Sequence, residues 1–257
     1  MRILVVKKGT IIKVAAAVIL IIGAIILTKV TLIDSKPVSN LSESMPVCRV
    51  ATDEKKVALT FDTAFGENDY TSQVLDVLSN EGVRATFCVM GLWAKENPEA
   101  LDAVLRGGHE IASHSMNHMR YPDMTSAEII KDASEASDLI FDMTGYDTNV
   151  IRLPYGAFDT NTILSLESEG YLPIKWSLDS KDWKGYASDK IADGVMGQVE
   201  KGDIIMFQNN MENTPEAVRS IVLSLREKGY KIVPLSDLLL NGDYIINGDG
   251  TQLYFDD

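Results

Sequence analysis

The run Val57-Ala58-Leu59-Thr60-Phe61, closed by Asp62, sets the frame for the whole chain. It is a short apolar and β-branched stretch, the composition of a strand, and it ends in a carboxylate. Six more such runs follow: Ala85–Met90, Glu110–His114, Val150–Tyr155, Tyr171–Leu178, Asp203–Gln208 and Tyr230–Leu235. Helical patterns fill the gaps. Asn97-Pro98 reads as an N-cap with proline at the first helical position. Thr125-Ser126-Ala127-Glu128 fits a capping box ahead of Ile129, Ala133, Ala136, Ile140 and Met143, which recur with the helical period. Thr214-Pro215 opens another helix, with Val218, Ile221, Val222 and Leu225 on one face. Strands alternating with helices predict an α/β chain whose mainly parallel sheet is packed by helices, as a barrel or doubly wound.

Composition narrows the class further. With 257 residues, 46% of them hydrophobic and 24% charged, the chain is neither disordered, nor a polytopic membrane protein, nor a collagen-like repeat. The net charge of −13 hides an asymmetry. Residues 1–33 carry Arg2, Lys7, Lys8, Lys13 and Lys29 and no acid, so 19 of the 24 basic groups face all 37 acidic ones in the remainder. A body that acidic repels phosphate backbones, which argues against nucleic acid as a partner. Cys48 and Cys88 are the only cysteines, too few for a disulfide scaffold or a cysteine-rich zinc module. Cys88, inside an apolar run, reads as a buried thiol.

The uncharged run Val14–Thr28 extends, with Lys13 and Lys29 as its only interruptions, from Ile11 to Ile33. Lysines near either end snorkel to headgroups, so the stretch is long enough to span ~30 Å of hydrocarbon. The basic cluster before it predicts a cytoplasmic N-terminus. No Ala-x-Ala site follows, which favours an uncleaved anchor over a cleaved signal peptide. The expected organisation is a basic stub and transmembrane anchor over 1–33 and a linker over 34–50. A domain over 51–240, held outside the cell membrane by one pass, and an acidic tail over 241–257 complete it.

In parallel α/β folds the reactive groups collect at the carboxyl ends of the strands. Asp62 ends the first run, and His114 ends the third with His118 four residues on. Arg152 lies in the fourth run, which continues into Pro154-Tyr155-Gly156. Asp179, Asp182 and Trp183 follow the fifth, and Gln208 ends the sixth. If a helical turn begins at His114, both imidazoles project to one side and share a divalent ion. His109, after Gly107-Gly108, reads as structural.

Leu59-Thr60-Phe61-Asp62, His114-Ser115-x-x-His118, Arg152-x-Pro154-Tyr155-Gly156, Asp179-Ser180-Lys181-Asp182-Trp183 and Gly202–Phe207 resemble, in order, the motifs of the polysaccharide deacetylases, the NodB-homology or carbohydrate esterase 4 family. The resemblance covers roughly residues 50–240. It implies a distorted (β/α) barrel of about seven parallel strands and metal-dependent removal of N-acetyl groups from amino-sugar polymers. It gives His114 and His118 a divalent ion, zinc by preference, and makes Asp62 the general base. Arg152, paired with Asp182, tunes that base, and the backbone N–H of Tyr155 helps to hold the oxyanion. Pro154, Tyr155, Gly156, Trp183 and Gln208 are implied to meet the saccharide. With the anchor, the implied substrate is an N-acetylglucosamine polymer of the wall, peptidoglycan.

Two positions depart from the family pattern. A second Asp usually follows the first as third metal ligand; here it is Thr63, leaving Asp62, Glu67 or Asp69 to complete the site. The sixth-strand motif usually ends in the histidine that protonates the leaving amine; here it is Gln208, with Glu212 the nearest group able to titrate. The alternative reading is a catalytically degenerate saccharide-binding relative of the same fold.

Overall fold

The computed structural model describes residues 44–66 and 68–255. The expected anchor and most of the linker lie outside them, and no helix among the described residues is long and apolar enough to cross a membrane. The strands are β1 (Arg49–Val50), β2 (Lys56–Thr63), β3 (Thr86–Val89), β4 (Glu110–Ser113), β5 (Val150–Arg152), β6 (Leu172–Ile174), β7 (Leu178–Asp179), β8 (Ile204–Gln208), β9 (Lys231–Ile232), β10 (Tyr244–Ile246) and β11 (Thr251–Tyr254). The helices used below are α1 (Thr71–Asn80), α2 (Gly91–Glu96), α3 (Pro98–Arg106), α4 (Ser126–Thr144), α5 (Thr160–Ser168), α6 (Ser188–Met196) and α7 (Thr214–Glu227).

Seven strands lie in the order β6-β5-β4-β3-β2-β8-β7, each neighbouring pair parallel, and β9 extends the amino end of β2. This is a parallel, curled half-barrel sheet, consistent with a (β/α) barrel, with β6 and β7 as its edges. The run Tyr171–Leu178, expected as one strand, is therefore two. Its middle, Lys175 to Ser177, crosses from one edge of the sheet to the other. Val47 fits beside the gap, its N–H donating to the Pro173 carbonyl (2.9 Å) while Lys175 N–H donates to the Val47 carbonyl (2.8 Å).

The segment leading into the domain is accordingly part of the fold. Val47 and Val50 are fully buried, which corrects a linker drawn as far as residue 50. Gly202, at φ +78, lets that segment pass, because a side chain there would strike the Val50 carbonyl. The tail expected over 241–257 supplies β10 and β11, an antiparallel hairpin whose second strand pairs with β1.

Alternation along β2 divides the core. Leu59 and Phe61 face the helices, where Phe61 stacks on Phe87 (5.1 Å) and Phe207 (5.4 Å) from the neighbouring strands. Each ring, wholly buried, contributes about 2–3 kcal/mol relative to exposure. Ala58, Thr60 and Asp62 face inward instead. Ala58 packs with Cys88, Ala112 and Ile204 over Val47 and Leu235, closing the amino end of the barrel with apolar contacts. The carboxyl end is left to polar groups.

The helices form where their caps and stripes place them. Thr125 and Glu128 make the reciprocal capping box of α4, and Val218, Ile221, Val222 and Leu225 of α7 are fully buried. Asn97 precedes α3, but its side chain donates back to the Trp93 carbonyl (3.0 Å) rather than capping. Cys88 is a buried free thiol and His109 a buried structural imidazole, its Nδ1 accepting from Ala85 N–H (3.2 Å).

Candidate active site

Asp62, the penultimate residue of β2, lines the cleft at the mouth of the barrel. Its Oδ1 accepts from Nη1 of Arg152 at 3.0 Å, and Nη2 of the same guanidinium donates to Thr60 Oγ1 at 2.8 Å. Thr60 in turn donates to the Ile205 carbonyl (2.8 Å). Arg152 is wholly buried at the end of β5, with the Trp176 ring 5.5 Å from its guanidinium carbon. An arginine holding one carboxylate oxygen in a fixed geometry leaves the other oxygen for chemistry. That oxygen, Oδ2, lies 3.8 Å from Nε2 of His114.

His114 follows β4, and its Nδ1–H donates to the Arg152 carbonyl at 2.9 Å. This fixes the tautomer that leaves the Nε2 lone pair facing the cleft. Burial lowers the His114 pKa, and burial with the nearby His114 lowers that of His118 to about 4. Both rings are thus neutral near pH 7, with lone pairs available. The two meet edge to face at 4.7 Å, and Tyr155 lies against His118 at 4.4 Å. No helical turn links the two histidines. Residues 114–118 form a bent loop in which Ser115 (φ 65) and His118 (φ 56) are both left-handed, closed by His118 N–H donating to Ser115 Oγ (2.7 Å). Such conformations are costly for residues with a Cβ and mark positions that the surroundings enforce.

Arg152 does not pair with Asp182. The Asp182 carboxylate accepts from the Gln208 N–H (2.8 Å), the Thr214 hydroxyl (2.7 Å) and the Trp183 N–H (2.8 Å), tying the loop after β7 to the end of β8 and the start of α7. Burial raises its pKa against those donors. The arginine instead serves Asp62, the nearer carboxylate across the barrel.

A cleft of about 360 Å³ opens over these groups, lined by Asp62, Ala64, Phe65, Met90, Leu92, His114, Asn117, His118, Tyr155, Trp176, Met206, Gln208 and Asn210. Of the five expected saccharide contacts, Tyr155 and Gln208 line it. Pro154 and Gly156 are buried beside it and hold Tyr155 outward at φ 59, with two thirds of its surface exposed. Gly156 sits at φ +61, where a Cβ would press on Lys175 and Trp176. Trp183 is off the cleft, its indole N–H donating to Asp179 (3.3 Å) and Lys184 over its ring. Trp176 takes the wall instead. A lone Trp inside an apolar run carries no sequence signal apart from core packing.

The family profile described as polysaccharide deacetylase matches residues 49–174. A peptidoglycan-N-acetylglucosamine deacetylase of Bacillus cereus is 31% identical over 195 residues, which are 74% of this chain and 91% of the relative. The chain belongs to the polysaccharide deacetylase family. PgdA of Listeria monocytogenes, another peptidoglycan-N-acetylglucosamine deacetylase, is 29% identical over 77% of this chain, but the chain spans only 41% of that protein's length. Among solved structures, a CE4 family pseudoenzyme from Bacillus anthracis superposes with a TM-score of 0.72 at 26% identity, covering 81% of this chain and 70% of that one. A mutant of it described as having restored enzymatic activity superposes equally well.

Against the three-ligand metal site that the family motifs imply, one donor is absent among the described residues. Thr63 is wholly buried and its Oγ1 donates to the Cys88 carbonyl (3.2 Å), so it offers nothing to an ion. Asp69 is engaged by Trp93 Nε1–H (2.8 Å), Asn209 (3.1 Å) and Thr71 N–H (2.8 Å), and Glu67 lies outside the described residues. Among the described residues no three His, Cys, Asp or Glu side chains converge as a metal cluster. The two neutral imidazoles, one oriented through its other nitrogen, still suit a zinc-type divalent ion, with the Asp62 oxygen beside them left as a base. Glu212, the titratable group nearest Gln208 in sequence, is exposed and does not line the cleft.

Proposed function

We propose that this chain hydrolyses the N-acetyl groups of an N-acetylglucosamine polymer, peptidoglycan, on the outer side of the membrane to which its N-terminal apolar segment anchors it. The observation that supports this most directly is the Asp62 carboxylate, held on one oxygen by a buried arginine and open on the other beside two neutral imidazoles at the floor of a solvent-accessible cleft. His114 and His118 would hold a divalent ion, which when bound acidifies a water and polarises the acyl carbonyl.

Asp62 then takes the proton of the attacking water through Oδ2, while Arg152 keeps Oδ1 in place. The Tyr155 segment, bent into the left-handed region, would offer its backbone N–H to the developing oxyanion. The protonated Asp62 is the acid remaining beside the intermediate, so it returns its proton to the leaving nitrogen as the C–N bond breaks. The products are acetate and a free amine. Gln208 donates a hydrogen bond to that nitrogen or its sugar but supplies no proton.

A second reading, a saccharide-binding relative without turnover, is favoured by one specific feature. Gln208 stands where the family's histidine would, and a missing general acid typically lowers rate by about 10²–10⁴. Acetate release from N-acetylglucosamine oligomers and peptidoglycan fragments by the purified full chain, with zinc or cobalt and then with chelator, separates the two. Chelator-sensitive release that is lost in His114→Ala supports the hydrolase. Saccharide binding with no release in any of these conditions would establish the binder.

A further inference from the structure

α4 carries a buried acid that none of the chemistry above uses. Asp132 is 5% exposed, lies among the apolar positions Ile129, Ala133 and Ala136, and among the described residues pairs with no cation. A buried carboxylate must be satisfied by donors, and all of these come from one place. Oδ1 accepts from Met116 N–H (3.0 Å) and from the Tyr121 hydroxyl (2.9 Å), and Oδ2 accepts from the Asn117 side-chain amide (3.2 Å). Met116 and Asn117 are the middle of the loop that bears His114 and His118. Tyr121, three residues past His118, is fully buried and kept neutral by burial and by the carboxylate itself, so it remains a donor.

The loop needs such a tether. Ser115 and His118 are both held at positive φ, and relaxing either would swing the imidazoles relative to each other. On its other side the loop is fastened to α2, where Gly91 N–H donates to the Ser115 carbonyl (2.9 Å) and Leu92 N–H to the Met116 carbonyl (3.1 Å). These backbone bonds survive any change at Asp132. They hold the loop to the body but leave the peptide N–H of Met116 and the turn into His118 to the carboxylate.

We propose that Asp132 is the positioning residue for the His114–His118 pair: it acts from α4, through Met116, Asn117 and Tyr121, to hold both imidazoles in one arrangement. The proposal rests on the reading of those two histidines as ligands of a divalent ion. It nevertheless makes a prediction about the metal-free chain.

The chain has three histidines, so long-range proton–nitrogen spectra of the metal-free full chain resolve each ring. In the wild type His114 shows the Nδ1–H tautomer. In Asp132→Ala the His114 and His118 signals shift and broaden while that of His109, on the far side of the strand, does not. Cobalt titration followed by absorbance then reads about 10–100-fold weaker affinity in Asp132→Ala. Asp132→Asn stays within a few-fold of wild type, because its oxygen still accepts from Met116 and Asn117 can turn its own amide oxygen toward the new NH₂. Unchanged histidine signals and cobalt affinity in a merely less stable Asp132→Ala would overturn the proposal. Should that variant not fold, Asn117→Ala removes one donor without touching α4 and must shift the His118 signal. A wild type that binds no cobalt but shows the Asp132-dependent histidine signals would remove the metal reading and leave the positioning role standing.

Discussion

Asp62 and Gln208 are register partners across β2 and β8, and both line the cleft at the carboxyl end of these adjacent parallel strands. The group opposite the base is thus the one that would meet the leaving nitrogen, and it cannot titrate. Its backbone N–H donates to the buried Asp182 carboxylate.

Gln208→His should therefore raise the turnover number of the wild type by about 10² or more. The backbone bond to Asp182 is independent of the side chain, so the substitution adds an acid without dismantling its support. Acetate release by the two proteins at saturating oligomer checks this. An unchanged turnover number would mean that proton delivery to nitrogen does not limit the reaction, as expected if Asp62 returns the proton efficiently by itself.

Arg152 and Asp62 form a buried ion pair, and such pairs are costly to halve. Arg152→Met leaves a carboxylate and the Thr60 hydroxyl without their donor at the bottom of the cleft. The expected loss is about 3–5 kcal/mol, or roughly 10 °C in melting temperature for a domain of this size. The double variant Asp62→Asn/Arg152→Met removes both charges and should be less destabilised than the sum of the singles. Strict additivity in thermal melts would show that the pair contributes orientation and no coupling.

Thr63 offers a test of the missing ligand. A carboxylate at that buried position would face the Cys88 carbonyl with no donor, so Thr63→Asp should melt several degrees lower in chelator. If the new carboxylate turns to the histidines, ligand binding to the native state recovers that loss and more, about 2.7 kcal/mol at a hundredfold excess over Kd. The zinc-dependent rise in melting temperature should then exceed the wild-type rise by about 5 °C. Equal rises in the two proteins would mean that residue 63 is out of reach of the ion.

The sequence exposed what is contiguous. The strand runs, the Thr125–Glu128 box, the buried face of α7 and the strand-end positions of Asp62, His114, Arg152 and Gln208 are all set by neighbours within a few residues, where period and capping rules operate. The Asn97 cap failed locally, to the Trp93 carbonyl, but most of what failed depended on distant partners. The His114–His118 spacing suggested a helical turn, but the tether from Asp132 and the Ser115 hydroxyl enforce two left-handed residues instead. The pairing of Arg152 with Asp182 was implied by the family motifs and not by any contact within the sequence. The barrel brings Asp62 to the arginine and backbone donors to Asp182. Asp132 did leave a trace, being a charged residue three positions after Ile129 within the apolar stripe of α4.

The tryptophans provide the sharpest contrast between motif and geometry. Trp183 belongs to a recognisable motif yet stands on the surface beside Asp179, whereas Trp176 belongs to none and lines the cleft with Arg152 behind it. Its ring thus meets the Arg152 guanidinium and also forms part of the cleft wall, so under the proposed function one side chain would both stack on a sugar ring and shield the Arg152–Asp62 pair. A cation–π contact of this desolvated kind contributes about 1–2 kcal/mol. Trp176→Ala should lower kcat/KM on an N-acetylglucosamine oligomer at least tenfold and reduce stability as well, because water then reaches the ion pair. Trp183→Ala, which removes an exposed ring from outside the cleft, should leave kcat/KM within about threefold and the melting temperature within 2 °C, as surface changes usually do. Oligomer kinetics on both variants decide the matter. A larger loss at Trp183 than at Trp176 would extend the saccharide path across the loop after β7 and demote the cleft wall to packing.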